Sequence, residues 1–138
     1  MIIHLTNWSS RTLHGPGRAW SIMARPRRWE LGCGPVPVLV PPPTDLDAVR
    51  TGIITVAEYR ARYEAHVLDR EPMHPYLDPG ALLGHLTGSI GPTPVDDGDT
   101  LCCACAKEAA SRGECHRVYA AHILRDHGWS VVLDGRPL

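Results

Sequence analysis

From Leu101 to Leu133 the chain reads strand, helix, strand, and this order constrains the fold more than any other feature. Leu101-Cys102-Cys103-Ala104-Cys105 is a short apolar run of the kind that fills a buried strand. A helix is predicted from about Cys115 to His127, with Gly128 as the left-handed residue that stops it. Trp129-Ser130-Val131-Val132-Leu133 reads as a last strand. Four of the five cysteines fall in this stretch, at a strand end and a helix start. Open α/β proteins place ligands at such junctions.

The rest of the chain mixes the same two element types. Ile2–Thr6 reads as a first strand, Ala19–Ala24 as a second and Val36–Val40 as a third. Pro37 lacks a ladder donor, so the third is expected at an edge or a strand start. Pro41-Pro42-Pro43 is a stiff extended link. Thr44-Asp45 is expected to cap a short helix that runs to about Arg50 and stops at Gly52. Thr55-Val56-Ala57-Glu58 is a capping box. The helix it opens runs to about Asp69, with Val56, Tyr59, Tyr63 and Val67 on one face. A further helix is predicted from Asp78-Pro79 through Leu82, Leu83 and Leu86, followed by a loop from Gly91 to Asp99. The mixture predicts a single three-layer α/β domain over residues 1–138 with a largely parallel sheet.

Charge and hydropathy bound the partners. A net charge of −1 over 138 residues gives no bulk attraction to nucleic acid or to a membrane surface. No apolar run reaches membrane-spanning length, and the start Met1–Thr6 lacks the basic and apolar regions of a secretory signal. Five cysteines, four of them within fourteen residues, do not make a secreted disulfide framework, so a reducing cytoplasm is the expected setting.

The cysteine segment offers three chemistries. A cysteine at the first positions of a helix faces its positive end, and His116 and Arg117 add cationic neighbours. That environment favours thiolate, which makes Cys103 or Cys115 a candidate nucleophile and His116 a candidate base. Alternatively, Cys103, Cys105, Cys115 and His116 supply soft ligands for zinc, although one residue rather than two separates Cys103 from Cys105. Thirdly, the helix start and Arg117 make an anion site, to which Arg25 and Arg28 could converge from another loop. Cys102 should point to the opposite sheet face from Cys103 and is assigned to the core. Cys33, between two glycines, is a loop residue without a chemical role.

These residues resemble a family. Thr6-Asn7-Trp8-Ser9, Ser21–Trp29, the Pro41–Leu68 segment with its Tyr59 and Tyr63, and above all Cys115-His116-Arg117 opening a helix are similar to the bacterial proteins grouped as domain of unknown function 488. The short members from actinobacteria and their phages are the most similar. That family usually carries Cys-x-Glu before the helix, whereas this chain has Cys103-Ala104-Cys105. The resemblance implies a Rossmann-like α/β fold.

Two functions are expected from this reading. One is a small enzyme or binding protein whose pocket, built from residues 6–9, 25–29, 103–105 and 115–117, takes a phosphorylated or nucleotide-like ligand. The other is a non-enzymatic module that binds a host or partner protein, stabilised by zinc in the cysteine cluster.

Overall fold

Alternation of side chains sets the centre of the molecule. In β1 (Ile2–Asn7) the side chains of Ile3 and Leu5 are fully buried, and the strand is hydrogen-bonded on both sides. The computed structural model describes residues 1–69, 77–79, 95–105, 107–113 and 115–138. Among these, four further strands complete one sheet: β2 (Ala19–Ser21), β3 (Thr100–Cys103), β4 (Ser130–Leu133) and β5 (Arg136–Pro137). The order is β2-β3-β1-β4-β5, parallel throughout except for the β5 edge. Register aligns Asn7 with Cys103 on one side and Leu5 with Leu133 on the other. The carboxyl end of β1 therefore lies between Cys103 and the residue after β4, Asp134.

Among the described residues, four helices join the strands: α1 (Pro43–Arg50), α2 (Val56–Leu68), α3 (Lys107–Ser111) and α4 (Arg117–Asp126). The capping box forms as the sequence predicts, with Thr55 Oγ1 accepting from the Glu58 amide. Tyr59, Tyr63 and Val67 are buried along one face of α2, whereas Val56 stays exposed. α4 packs on β1 and β4, and α2 packs on α1 and α4. Tyr63 fixes this arrangement, because its hydroxyl donates to the Leu39 carbonyl (2.8 Å) while its ring rests on His116. Gly128, at φ +102°, ends the α4 segment as expected.

Several elements differ from the sequence reading. Residues 36–40 form a 3₁₀ turn over Pro37–Leu39 rather than a strand. Pro37 presets the turn dihedral, and the Leu39 and Val40 amides bond back to Val36 and Pro37. Val36, Val38 and Leu39 are buried nonetheless, so the apolar pattern marked core and not strand. β2 ends at Ser21, three residues short, although the Ile22 amide still donates to the Cys102 carbonyl. α1 begins at Pro43 with Pro42 at the cap, and no side chain of Thr44 or Asp45 caps it. Proline at the first helical position costs no hydrogen bond, which makes it the start. The helix predicted from Asp78-Pro79 lies, beyond Pro79, outside the described residues. α3 and the β4–β5 hairpin are elements that the sequence reading missed. The hairpin turn is Asp134-Gly135, with both residues at positive φ (48° and 81°), the dipeptide that such turns favour.

The end of the sheet away from the cysteines is tied by Asp99, which is nearly fully buried. Its carboxylate accepts from Trp20 Nε1 (2.9 Å), the Arg18 amide (2.7 Å) and the Asp96 amide (2.9 Å). Asp99→Ala leaves three donors without that acceptor. The expected cost is about 2–4 kcal/mol, read as a lowered urea midpoint at unchanged slope.

Candidate functional site

Four side chains converge where β3, α4 and the β4–β5 turn meet. Cys103 is the last residue of β3, and its carbonyl receives the Trp8 amide. Cys105 follows two residues later. Cys115 immediately precedes His116, the N-cap of α4. The sequence predicts Cys115 at the first positions of this helix, at the N-cap or just after it. Because it lies one position earlier, its thiol turns back onto β3: the Cys103 and Cys115 sulfurs are 3.3 Å apart. All three sulfurs lie within 4.8 Å of one another. Cys103 and Cys115 are buried, and Cys105 is 9% exposed.

The fourth side chain is Arg117, which is fully buried. Its Nη1 donates to Cys103 Sγ (3.2 Å), Cys115 Sγ (3.3 Å) and the Cys105 carbonyl (2.9 Å). Nε and Nη2 both donate to Asp134 Oδ2, at 3.3 and 3.1 Å. Asp134 is held in turn by Thr6 Oγ1 (3.0 Å) and by its own amide on the Leu5 carbonyl. Arg50, reaching from the end of α1, donates to Cys105 Sγ (3.4 Å). The thiols thus lie between two guanidinium groups, in surroundings that favour thiolate character.

The three thiols share one charge unequally. Hydrogen bonds from the Cys103 and Cys115 thiols hold Cys105 well below the ordinary thiol range, and Arg50 adds to the effect. The same hydrogen bonds, with burial, push Cys115 up. Cys103 is raised to about 11, chiefly by the bond to Cys105. The direction of these shifts makes Cys105 the most acidic of the three thiols. Cys102 is buried on its own, and burial raises it to about 12, in keeping with its assignment to the core. Cys33 is exposed and far from the cluster in sequence, as its loop position suggests.

His116 takes a different place from the one expected of a metal ligand. Its Nε2 bonds to the Ile22 carbonyl, and the three sulfurs group without it. Burial pushes its pKa down to about 4, so the ring is neutral, with Nε2 as donor and Nδ1 as a lone pair. That Nδ1 is buried and has no hydrogen-bond partner among the described residues, and the same holds for the Tyr59 hydroxyl. Beside the cluster lies a cavity of about 130 Å³ lined by Met23, Arg25, Leu46, Arg50, Cys103, Cys105 and His116. Its neighbour, a groove of about 540 Å³ rich in proline, shares Met23 and Ala24 with it.

The expected anion-binding arginines are therefore dispersed. Arg117 spends its donors on sulfur, the Cys105 carbonyl and Asp134. Arg25 lines the cavity but is paired with Asp47, at 2.9 and 2.7 Å. Arg28 is exposed on a 3₁₀ turn and does not line the cavity. Nor do residues 6–9, whose Trp8 lines a separate hollow with Arg11 and Trp29. Two participants were missed. Arg50 gave no sequence signal beyond a helix end, but the Asp134-Gly135 turn was legible as a hairpin that would fix Asp134.

No helix among the described residues is long and apolar enough to cross a membrane. Comparison with protein-family models, with curated proteins and with solved structures finds no match to this chain.

Two outcomes follow from the geometry. Arg117→Met removes the only cation that touches both Cys103 and Cys115 among the described residues and strands Asp134; a loss of about 3 kcal/mol is expected in urea unfolding. The second concerns His116. Between pH 7 and 4 the unfolded chain protonates this imidazole while the folded chain keeps it neutral. The unfolded state thus binds more protons, and stability falls as pH drops through that window, by about 3 kcal/mol at its lower end. In His116→Gln this part of the pH dependence should vanish, which urea midpoints at pH 7 and pH 5 would reveal.

Proposed function

We propose that the protein is a thiolate-dependent enzyme or binding protein for a small anionic ligand, with Cys105 as the reactive group. One observation carries this reading: a sulfur that opens onto a cavity receives a hydrogen bond from Arg50 and lies among two thiols held by a buried Arg117. A thiolate so placed is a nucleophile in a site that already excludes most water. Arg50, and Arg25 on release from Asp47, would hold a phosphoryl or carboxylate group beside it. His116 Nδ1 would accept a proton or a hydrogen bond from the ligand. The cavity takes a phosphate-sized group, and a nucleotide-like ligand would extend over Met23 into the proline-rich groove. On this reading the fold is the three-layer, Rossmann-like domain that the resemblance to domain of unknown function 488 implies, with its ligand at the carboxyl ends of the strands.

A second reading rests on the three sulfurs alone. Cys103, Cys105 and Cys115 are near enough to bind one ion, and three thiolates suit zinc. Arg117 would then offset the excess negative charge through its bonds to sulfur. About one zinc per chain in the purified protein, with stability lost on chelation, would establish it.

The thiolate reading is tested by iodoacetamide labelling at Cys105. An ordinary thiol slows about tenfold per pH unit below its pKa of ~8.5. Cys105 should instead label at pH 6 within about threefold of its rate at pH 8, and inorganic phosphate should protect it. Arg50→Met should weaken that protection. Ordinary pH dependence at every cysteine would rule the proposal out.

A further inference from the structure

The cluster holds more sulfur than a single nucleophile needs. Cys103 and Cys115 lie 3.3 Å apart, and a disulfide requires about 2.05 Å, an approach of about 1.2 Å. Cys105, which opens onto the cavity, is within 4.8 Å of both. Resting on the thiolate reading above, we infer that the three thiols reduce a small hydroperoxide and store the oxidation as a Cys103–Cys115 disulfide.

The steps balance. Cys105 Sγ attacks the terminal peroxide oxygen and the O–O bond breaks. The leaving alkoxide (hydroxide from hydrogen peroxide) takes a proton, and Cys105 becomes a sulfenic acid. The Cys115 thiol attacks that sulfur; a Cys105–Cys115 disulfide forms, and water leaves with the Cys115 proton. Cys103 then loses its proton and attacks Cys115 Sγ, and Cys105 departs as thiolate. The proton released by Cys103 balances the one taken in the first step. Two electrons pass from Cys103 and Cys115 to the peroxide, and the attacking thiolate is restored. A small dithiol, such as dithiothreitol, returns the disulfide to two thiols.

Geometry assigns the roles. Of the three thiols, Cys105 is the least buried, lines the cavity with Cys103 and is the one that receives Arg50. Cys103 and Cys115 share the Arg117 cation, which eases formation of the thiolate that completes the exchange. Cys102, one residue from Cys103, belongs to none of this. Its thiol is set against His14 (3.8 Å).

The test uses the whole reduced protein, its zinc content measured first, treated with one equivalent of hydrogen peroxide. Free thiols are then blocked with N-ethylmaleimide and the chain is cut with trypsin. Cleavage after Arg112 and Arg117 leaves Cys115 alone on Gly113–Arg117, so its partner is read by fragmentation. The expected product is Cys103 linked to Cys115, with Cys33, Cys102 and Cys105 blocked. Cys105→Ser should slow its formation at least a hundredfold, with circular dichroism confirming the fold. Cys115→Ser should yield a Cys103–Cys105 bond or a Cys105 sulfenic acid trapped by dimedone. Fast, pH-insensitive labelling of Cys105 without any disulfide would overturn this inference and leave the thiolate reading standing. Ordinary labelling without a disulfide would overturn both. One tightly held zinc per chain, with the thiols inert to peroxide, would overturn the inference in favour of the metal reading.

Discussion

The buried guanidinium of Arg117 is the interaction on which the rest depends. A charge without solvent is costly unless its donors are matched by acceptors. Arg117 meets that demand with two sulfurs, one carbonyl and one carboxylate, drawn from β3, the loop after it, the residue before α4 and the β4–β5 turn. The residue therefore joins the ends of two parallel strands to the start of a helix, and in doing so brings three thiols into mutual reach.

This arrangement explains why the thiols are not equivalent. Arg117 faces Cys103 and Cys115 from within, while Arg50 approaches Cys105 from the side of the cavity. Between two cations, one negative charge on sulfur is favourable and a second or third is progressively less so. Cys105 is the thiol held lowest, because both other thiols can donate to it. The thiols differ through the side chains that touch them, Arg50 at Cys105 and Arg117 at Cys103 and Cys115, and α4 begins two residues beyond Cys115.

Much of this was legible in the sequence, for physical reasons. The apolar run from Leu101 to Cys105 located β3, which ends two residues earlier at Cys103, the left-handed stop at Gly128 located the α4 segment, and strand alternation separated Cys102 from Cys103. The convergence of Cys103, Cys105, Cys115 and Arg117 followed from the strand–helix junction. Residues 36–40 misled because burial and strand share an apolar pattern, and only Pro37 distinguished them. The role of Arg117 was misjudged for a different cause: sequence spacing cannot say whether an arginine near a helix start faces solvent or lies beneath the helix. Arg50 and Asp134 are distant in sequence from the cluster, and register alone brings Asp134 there.

The pleat of β3 has a consequence for how the molecule meets reactive small molecules. Cys102 and Cys103 are adjacent in the chain, equally hidden from solvent and identical in composition, yet one peptide plane separates a solitary thiol from one in an electrically coupled set. The sheet thus parts two compartments by the thickness of one strand. On one side a sulfur behaves as a small alkyl group; on the other, a neighbouring sulfur belongs to a device. Each molecule carries its own reference electrode, so to speak, and whatever reaches Cys103 but spares Cys102 must have come through the cavity and not through general loosening of the fold.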